Sequence, residues 1–259
     1  MRGGSNDVRR AGGALVAALA VAACAAPPPA RSDLSPQRPV VEVAGQPWDV
    51  LGASLQGRPV RAATFGRGPR RIYLIGGIHG DERGGVENAD RLTLFLAGEL
   101  PRGVQVRFVP DMNPDGSANR TRANARGVDL NRNWPASNFR PSASRGAAPL
   151  SEPEAAAVHR DLARFDPELV LVLHAARAGP FVNYDGPARA AAERFAAAAG
   201  RVDERWRVVA DMGYPTPGSL GSLLGRDRET PILTVELPRS EDGESVWPAL
   251  RAGLAAALE

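Results

Sequence analysis

Four side chains in this sequence are of metal-binding or proton-transferring type and stand at the ends of apolar runs. His79 and Glu82 close the stretch Ile72-Tyr73-Leu74-Ile75-Gly76-Gly77-Ile78-His79-Gly80-Asp81-Glu82. An imidazole and a carboxylate three residues apart, on the first turn of a helix, face the same way and can grip one ion. His174 ends the apolar run Leu169–Leu173, and Glu236 ends Ile232–Val235. Taken alone the His-x-x-Glu spacing is common. Its bland alternative is that Asp81 and Glu82 complement the positive end of a helix while His79 sits in a loop.

The elements that must carry these residues are legible as alternating patterns. Gly57-Arg58-Pro59 marks a turn between two short strands, the second running over Val60–Phe65, and a further strand leads through Ile72 to the glycines. Apolar residues among charges predict a helix from Glu82 to about Leu100, and Val104–Val109 returns as a strand. A long turn-rich segment, about 111–148, follows, and a loop of that length in a compact domain is usually functional. Ser151 at a cap with Glu154 three residues on predicts a helix to about Phe165. Helices are expected over Ala188–Ala199 and Trp247–Leu258. The β-helix-β order predicts a single α/β domain with a mixed, mostly parallel sheet and helices on both faces. In such a sheet the carboxyl ends of the strands share one edge, so His79, Glu82, His174 and Glu236 converge there. A polar residue at the end of a buried strand carries a desolvation cost unless it is paired, so three such ends together indicate a site.

The net charge is +3 with no lysine, so the basic side is wholly arginine. With no basic tract and no interleaved aromatics, nucleic acid is excluded as a partner class. Arginine matches carboxylates through its fork of donors. Nothing in the pattern names a protein partner. Arg2, Arg9 and Arg10 precede an alanine-rich run, Ala11–Ala23, too short to span a bilayer. It ends at Val21-Ala22-Ala23-Cys24, which resembles a bacterial lipobox. The expectation is a signal segment over 1–23, lipidation of Cys24, a proline-rich tether over 24–46, and a catalytic domain over 47–259. That organisation implies export to the periplasm and a membrane anchor through lipid. The alternative is an ordinary signal peptide with Cys24 discarded. Cys24 is the single cysteine, so no intramolecular disulfide forms.

The middle loop narrows the family. Asn113-Pro114-Asp115-Gly116, Thr121-Arg122-Ala123-Asn124 and Gly127-Val128-Asp129-Leu130-Asn131-Arg132-Asn133-Trp134-Pro135 closely resemble the zinc carboxypeptidase family, as do the His-Gly-Asp-Glu motif and Thr234-Val235-Glu236-Leu237-Pro238. Within it, Gly213-Tyr214-Pro215-Thr216-Pro217-Gly218-Ser219 is similar to the murein peptide amidases. The resemblance implies one Zn2+ held by His79, Glu82 and His174, with Asp129 supporting His79. It implies Glu236 as the proton-transferring glutamate, Arg122 at the oxyanion, Asn131 and Arg132 on a free α-carboxylate, and Tyr214 as a substrate-capping residue. The implied substrate is a cell-wall peptide cut between γ-D-glutamate and meso-diaminopimelate.

Three alternatives stay open on the sequence: a general metallocarboxypeptidase, a deacylase of the aspartoacylase type, and an inactive peptidoglycan-binding lipoprotein. The loop 218–225 is expected to line the side-chain pocket and carries no carboxylate. His159, in an alanine-rich helix, is expected to be solvated.

Overall fold

The computed structural model describes residue 1, residues 41 and 43, and residues 45–259. The signal segment, Cys24 and most of the expected tether lie outside the described residues. Among the described residues no helix is long and apolar enough to cross a membrane.

Eight strands form one sheet in the order β1-β2-β4-β3-β5-β8-β6-β7. In chain order these are β1 (Asp49–Ala53), β2 (Pro59–Gly66), β3 (Arg70–Ile75), β4 (Val104–Val109), β5 (Leu169–Ala176), β6 (Phe181–Asp185), β7 (Val208–Val209) and β8 (Ile232–Pro238). The four central strands β4, β3, β5 and β8 are parallel, with β2 and β6 antiparallel on either side. The mixed sheet is therefore as expected, and β6 and β7 are additions that the short runs Phe181–Asp185 and Val208–Val209 did not announce.

The central strands are buried on both faces, which is why they read as continuous apolar runs rather than alternating ones. One face packs against α2 (Ala89–Gly98), α5 (Arg189–Gly200) and α6 (Gly243–Leu258), through Leu92, Phe95, Phe195 and Leu250. The other face packs Tyr73, Ile75, Val170 and Val172 against Val158 and Leu162 of α4 (Pro153–Phe165), and against Leu130 and Trp134 of the long loop. Beneath α4, Asp161 accepts hydrogen bonds from Tyr73 Oη at 2.7 Å and from Arg107 Nε and Nη2 at 2.9 and 3.0 Å.

Four local expectations are corrected. The helix after Glu82 breaks in two at Asn88, giving α1 (Arg83–Glu87) and α2, and Gly84 and Gly85 let α1 ride directly on the sheet. A Cβ at Gly84 would meet Leu237 Cδ1 at 2.9 Å, and one at Gly85 would meet Leu173 Cβ at 3.2 Å. Ser151 does not cap α4: Glu152 is the residue before the helix, and the Ser151 hydroxyl bonds to Asn133 and Glu152 instead. The long loop is not wholly irregular, since α3 (Pro114–Asn119) starts behind Asn113, whose Oδ1 accepts from Gly116 N at 2.9 Å. His159 is half-buried rather than solvated, 6.3 Å from the Trp134 ring, and burial pulls its pKa down.

Candidate active site

The His79–Glu82 turn is positioned by close backbone packing. After β3 the chain turns through Gly76 and Gly77, whose carbonyls accept from Met112 N at 3.0 Å and Asn113 N at 2.9 Å. Gly77 has φ +64°, a region that disfavours other L-residues. A Cβ on Gly80 would fall 1.9 Å from Gly116 C, so only glycine lets the turn lie on α3. His79 and Glu82 are joined by a turn, Glu82 N donating to His79 O at 3.2 Å, rather than by a first helical turn. The alignment of their side chains survives this change.

His174 on β5 and Glu236 on β8 are direct neighbours in the parallel register. The alternation along each strand turns both toward the face covered by the long loop, since Val172 and Ile232 belong to the same core as Leu130 and Trp134.

Glu82 stands between the two imidazoles. Its Oε1 lies 2.9 Å from His79 Nδ1 and its Oε2 lies 2.8 Å from His174 Nδ1. Ala175 N donates to the same Oε2 at 3.1 Å. All three side chains are buried, and one donor atom from each lies within 4.8 Å of the others. Despite its proximity to Oε1, His79 Nδ1 has no hydrogen-bond partner. A buried ring nitrogen without a partner, aimed at a carboxylate and a second imidazole, fits a metal ion that would complete it. Two imidazoles and one carboxylate are also the donor set of a catalytic zinc, which keeps a coordination position open.

Electrostatics follow from this crowding. Burial pulls the His79 imidazole down, but Asp129 and Glu82 outweigh it and raise its pKa. Burial pushes Glu82 up, and the His174 and His79 rings overcome this to hold it far below the usual carboxylate range. Glu236 has no such partner: burial, reinforced by the charge of Glu82, raises its pKa above that of an ordinary glutamate despite His174 nearby.

The long loop supplies the surrounding layer. Asp129 Oδ1 lies 3.0 Å from His79 Nε2, on the side of the ring away from Glu82, and so orients that imidazole. The same oxygen caps the loop by accepting from Asn131 N at 2.9 Å, so Asp129 makes both the contact to His79 and the loop-capping bond. Arg122 spans the site, Nε to Asp129 Oδ2 and Nη1 to Glu82 Oε1, each at 3.0 Å. Asn131 Nδ2 is 3.2 Å from His174 Nε2, and its Oδ1 accepts from Leu220 N at 3.0 Å, tying the two loops together. Arg132 lines the cleft, its pKa lowered by burial, and donates to Asn131 O at 2.8 Å. Tyr214 lines the cleft and is 55% exposed.

These residues border a cleft of about 500 Å³. Every expected site residue among the described ones is brought to it or, in the case of Asp129, directly behind it. The cleft also contains Asn183 and Asp185 of β6, Thr234 of β8, and Arg226 and Arg239. The side-chain end of the cleft, which the loop 218–225 alone left unreadable, thus gains a carboxylate from another element. The loop 218–225 has none, but β6 delivers Asp185 beneath it. The signal was the pair Asn183 and Asp185, two residues apart in a run of strand-forming residues.

Comparison with known proteins agrees with this geometry. The zinc carboxypeptidase family model matches residues 48–194. Murein peptide amidase A of Escherichia coli (strain K12) is 31% identical over 212 residues, covering 76% of this chain and 81% of the relative. Murein peptide amidase A of Vibrio campbellii is 28% identical over 205 residues, covering 73% and 76%. Among solved structures, murein-tripeptide amidase MpaA from Escherichia coli O157 superposes with a TM-score of 0.62 at 28% identity, covering 81% of this chain and 91% of that one. Carboxypeptidase A from Helicoverpa armigera shares the fold, with a TM-score of 0.68 at 18% identity, covering 82% and 68%. The chain belongs to the zinc carboxypeptidase family.

Proposed function

We propose that this protein is a zinc-dependent peptidase that hydrolyses the amide between γ-D-glutamate and meso-diaminopimelate in cell-wall peptides. The observation that carries the chemistry is the neighbouring register of His174 and Glu236 beside the Glu82 carboxylate. The similarity to murein peptide amidases over most of their length supports the substrate.

His79, Glu82 and His174 would hold the metal. A zinc ion there supplies a Lewis acid, which makes water more acidic and a carbonyl more electrophilic. Glu236 is the base that takes the proton of the attacking water, and its raised pKa suits a group that must also hand that proton to the leaving amine. Arg122 carries the positive charge that meets the developing oxyanion. Arg132, with Asn131, pairs with the free α-carboxylate of the departing residue, which restricts cleavage to the carboxyl end. Tyr214 closes over the bound peptide and limits water. The arginines and apolar run that precede Cys24 support export, with lipidation at that cysteine holding the enzyme at the membrane beside its substrate.

The test is zinc-dependent release of diaminopimelate from L-Ala-γ-D-Glu-meso-diaminopimelate, followed by mass spectrometry, with and without a chelator. Chelator-sensitive release supports the reading, and zinc-loaded protein that leaves the tripeptide intact refutes it.

A further inference from the structure

The structure points to a second recognition centre inside the cleft. We propose that Asp185 and Arg226 read the far end of the departing residue's side chain, selecting one that ends in both an ammonium and a carboxylate. This deepens the murein reading, on which its choice of a diamino-dicarboxylic acid rests.

Placement comes first. β6 runs antiparallel to β8, with Phe181 opposite Glu236, Asn183 opposite Thr234 and Asp185 opposite Ile232. Alternation puts these residues on the face that carries Glu236 and His174. Asp185 lies four residues along β6 from the position opposite Glu236, a separation of roughly 13 Å at strand rise. A long side chain leaving the scissile amide can bridge that span together with the aspartate's own reach, and a short one cannot.

Access comes next. A Cβ at Gly221 would fall 2.4 Å from Asp185 Oδ2, and one at Gly225 would fall 2.2 Å from Asp185 Cβ. Any side chain at either position would drive into this aspartate. The two glycines therefore make room for a carboxylate at the end of the cleft.

Among the described residues the Asp185 carboxylate feels the Arg226 charge but makes no hydrogen bond or salt bridge, although it is half-buried. Burial raises its pKa and the Arg226 charge opposes the rise, so a cation arriving from solvent is the partner it lacks. Arg226 is exposed on the same cleft and offers a fork of donors to a carboxylate. A lysine-like ammonium would satisfy Asp185 alone. A side chain ending in an amino acid head would satisfy both.

The experiment measures kcat/KM for zinc-loaded wild type, Asp185→Asn and Arg226→Gln. The residue at the carboxyl end is meso-diaminopimelate, L-lysine or L-norleucine. Each is presented on two scaffolds, L-Ala-γ-D-Glu-X and L-Ala-L-Ala-X. Asp185→Asn is expected to lower both the diaminopimelate-to-norleucine and the lysine-to-norleucine ratios by at least ~30-fold, as a site loses discrimination with its charged partner. Arg226→Gln is expected to lower the diaminopimelate-to-lysine ratio by ~5-fold or more, the smaller figure reflecting its exposure. The norleucine substrate reports on folding, because a misfolded variant loses all three together and leaves the second variant's ratios as the test. An Asp185→Asn ratio within ~3-fold of wild type would overturn the proposal. The scaffolds separate the two claims. Cleavage of only the L-Ala-L-Ala series refutes the murein reading while the side-chain ratios still judge Asp185. Cleavage of neither overturns both.

Discussion

Glu82, which arrives from the turn after β3, is clamped to β5 by two contacts from one oxygen: 2.8 Å to His174 Nδ1 and 3.1 Å to the backbone N–H of Ala175. The carboxylate is thus set against both imidazoles before any ligand arrives, and the cost of ordering it has been met in folding.

Removing that carboxylate should abolish metal-linked stability. Wild-type protein should gain ~2.7 kcal/mol against urea at free zinc a hundredfold above its dissociation constant, and Glu82→Gln nothing measurable at the same zinc. In the metal-free protein the sign with pH follows from the depressed Glu82 pKa. Its contribution is present above the ordinary value of 4.5 and is lost as pH falls below that toward the folded value. Urea titrations across acidic pH check both statements, and an unchanged zinc response in Glu82→Gln would remove this residue from the grip.

Asp129 touches His79 from behind and never faces Glu82's side of the ring. Asp129→Asn should weaken zinc binding ~10–100-fold while leaving the fold intact. Competition with a chromophoric chelator measures this, and an unaltered affinity would leave Asp129 with only its loop-capping bond to Asn131.

Glu236→Gln should retain zinc and lose ~10²–10⁴-fold in kcat, the range for a lost general base. In the zinc-free wild type, a carbon NMR titration should find the Glu236 carboxyl above 4.5, and zinc should lower it by adding positive charge. A raised carboxyl contributes stability that is complete below 4.5 and is lost as pH climbs through the folded value. A Glu236 titrating below 4.5 without metal would contradict the burial argument.

Much of this site was legible because its residues stand at the ends of long apolar runs. Leu169–Leu173 and Ile232–Val235 could only be buried strands, so His174 and Glu236 had to emerge at their carboxyl ends. The motif around Asp129 announced a functional loop by its density of Asn, Asp and Arg. Asp185 was hidden for a physical reason: β6 is short, and its partners Gly221 and Gly225 come from a loop more than thirty-five residues on. A glycine shows no side chain to pair, so the vacancy it leaves for another residue is visible only in three dimensions. The close seating of α1 on the sheet escaped likewise, since it depends on Gly84 lying against Leu237.

Away from the cleft, Asp161→Ala should destabilise the fold by ~3–5 kcal/mol by leaving Arg107 without its buried partner. Zinc stoichiometry should be unchanged. Urea unfolding with metal analysis tests this, and a loss under ~1 kcal/mol would mean that Asp49, which also pairs with Arg107 at 2.6 Å, suffices alone.

The most direct test of the account is the zinc-dependent fate of L-Ala-γ-D-Glu-meso-diaminopimelate beside an ordinary peptide with a free carboxyl end. The account predicts that wild-type protein releases diaminopimelate, that a chelator stops it, that zinc restores it, and that the ordinary peptide is spared. Rapid cleavage of the ordinary peptide with the murein tripeptide left intact would contradict it.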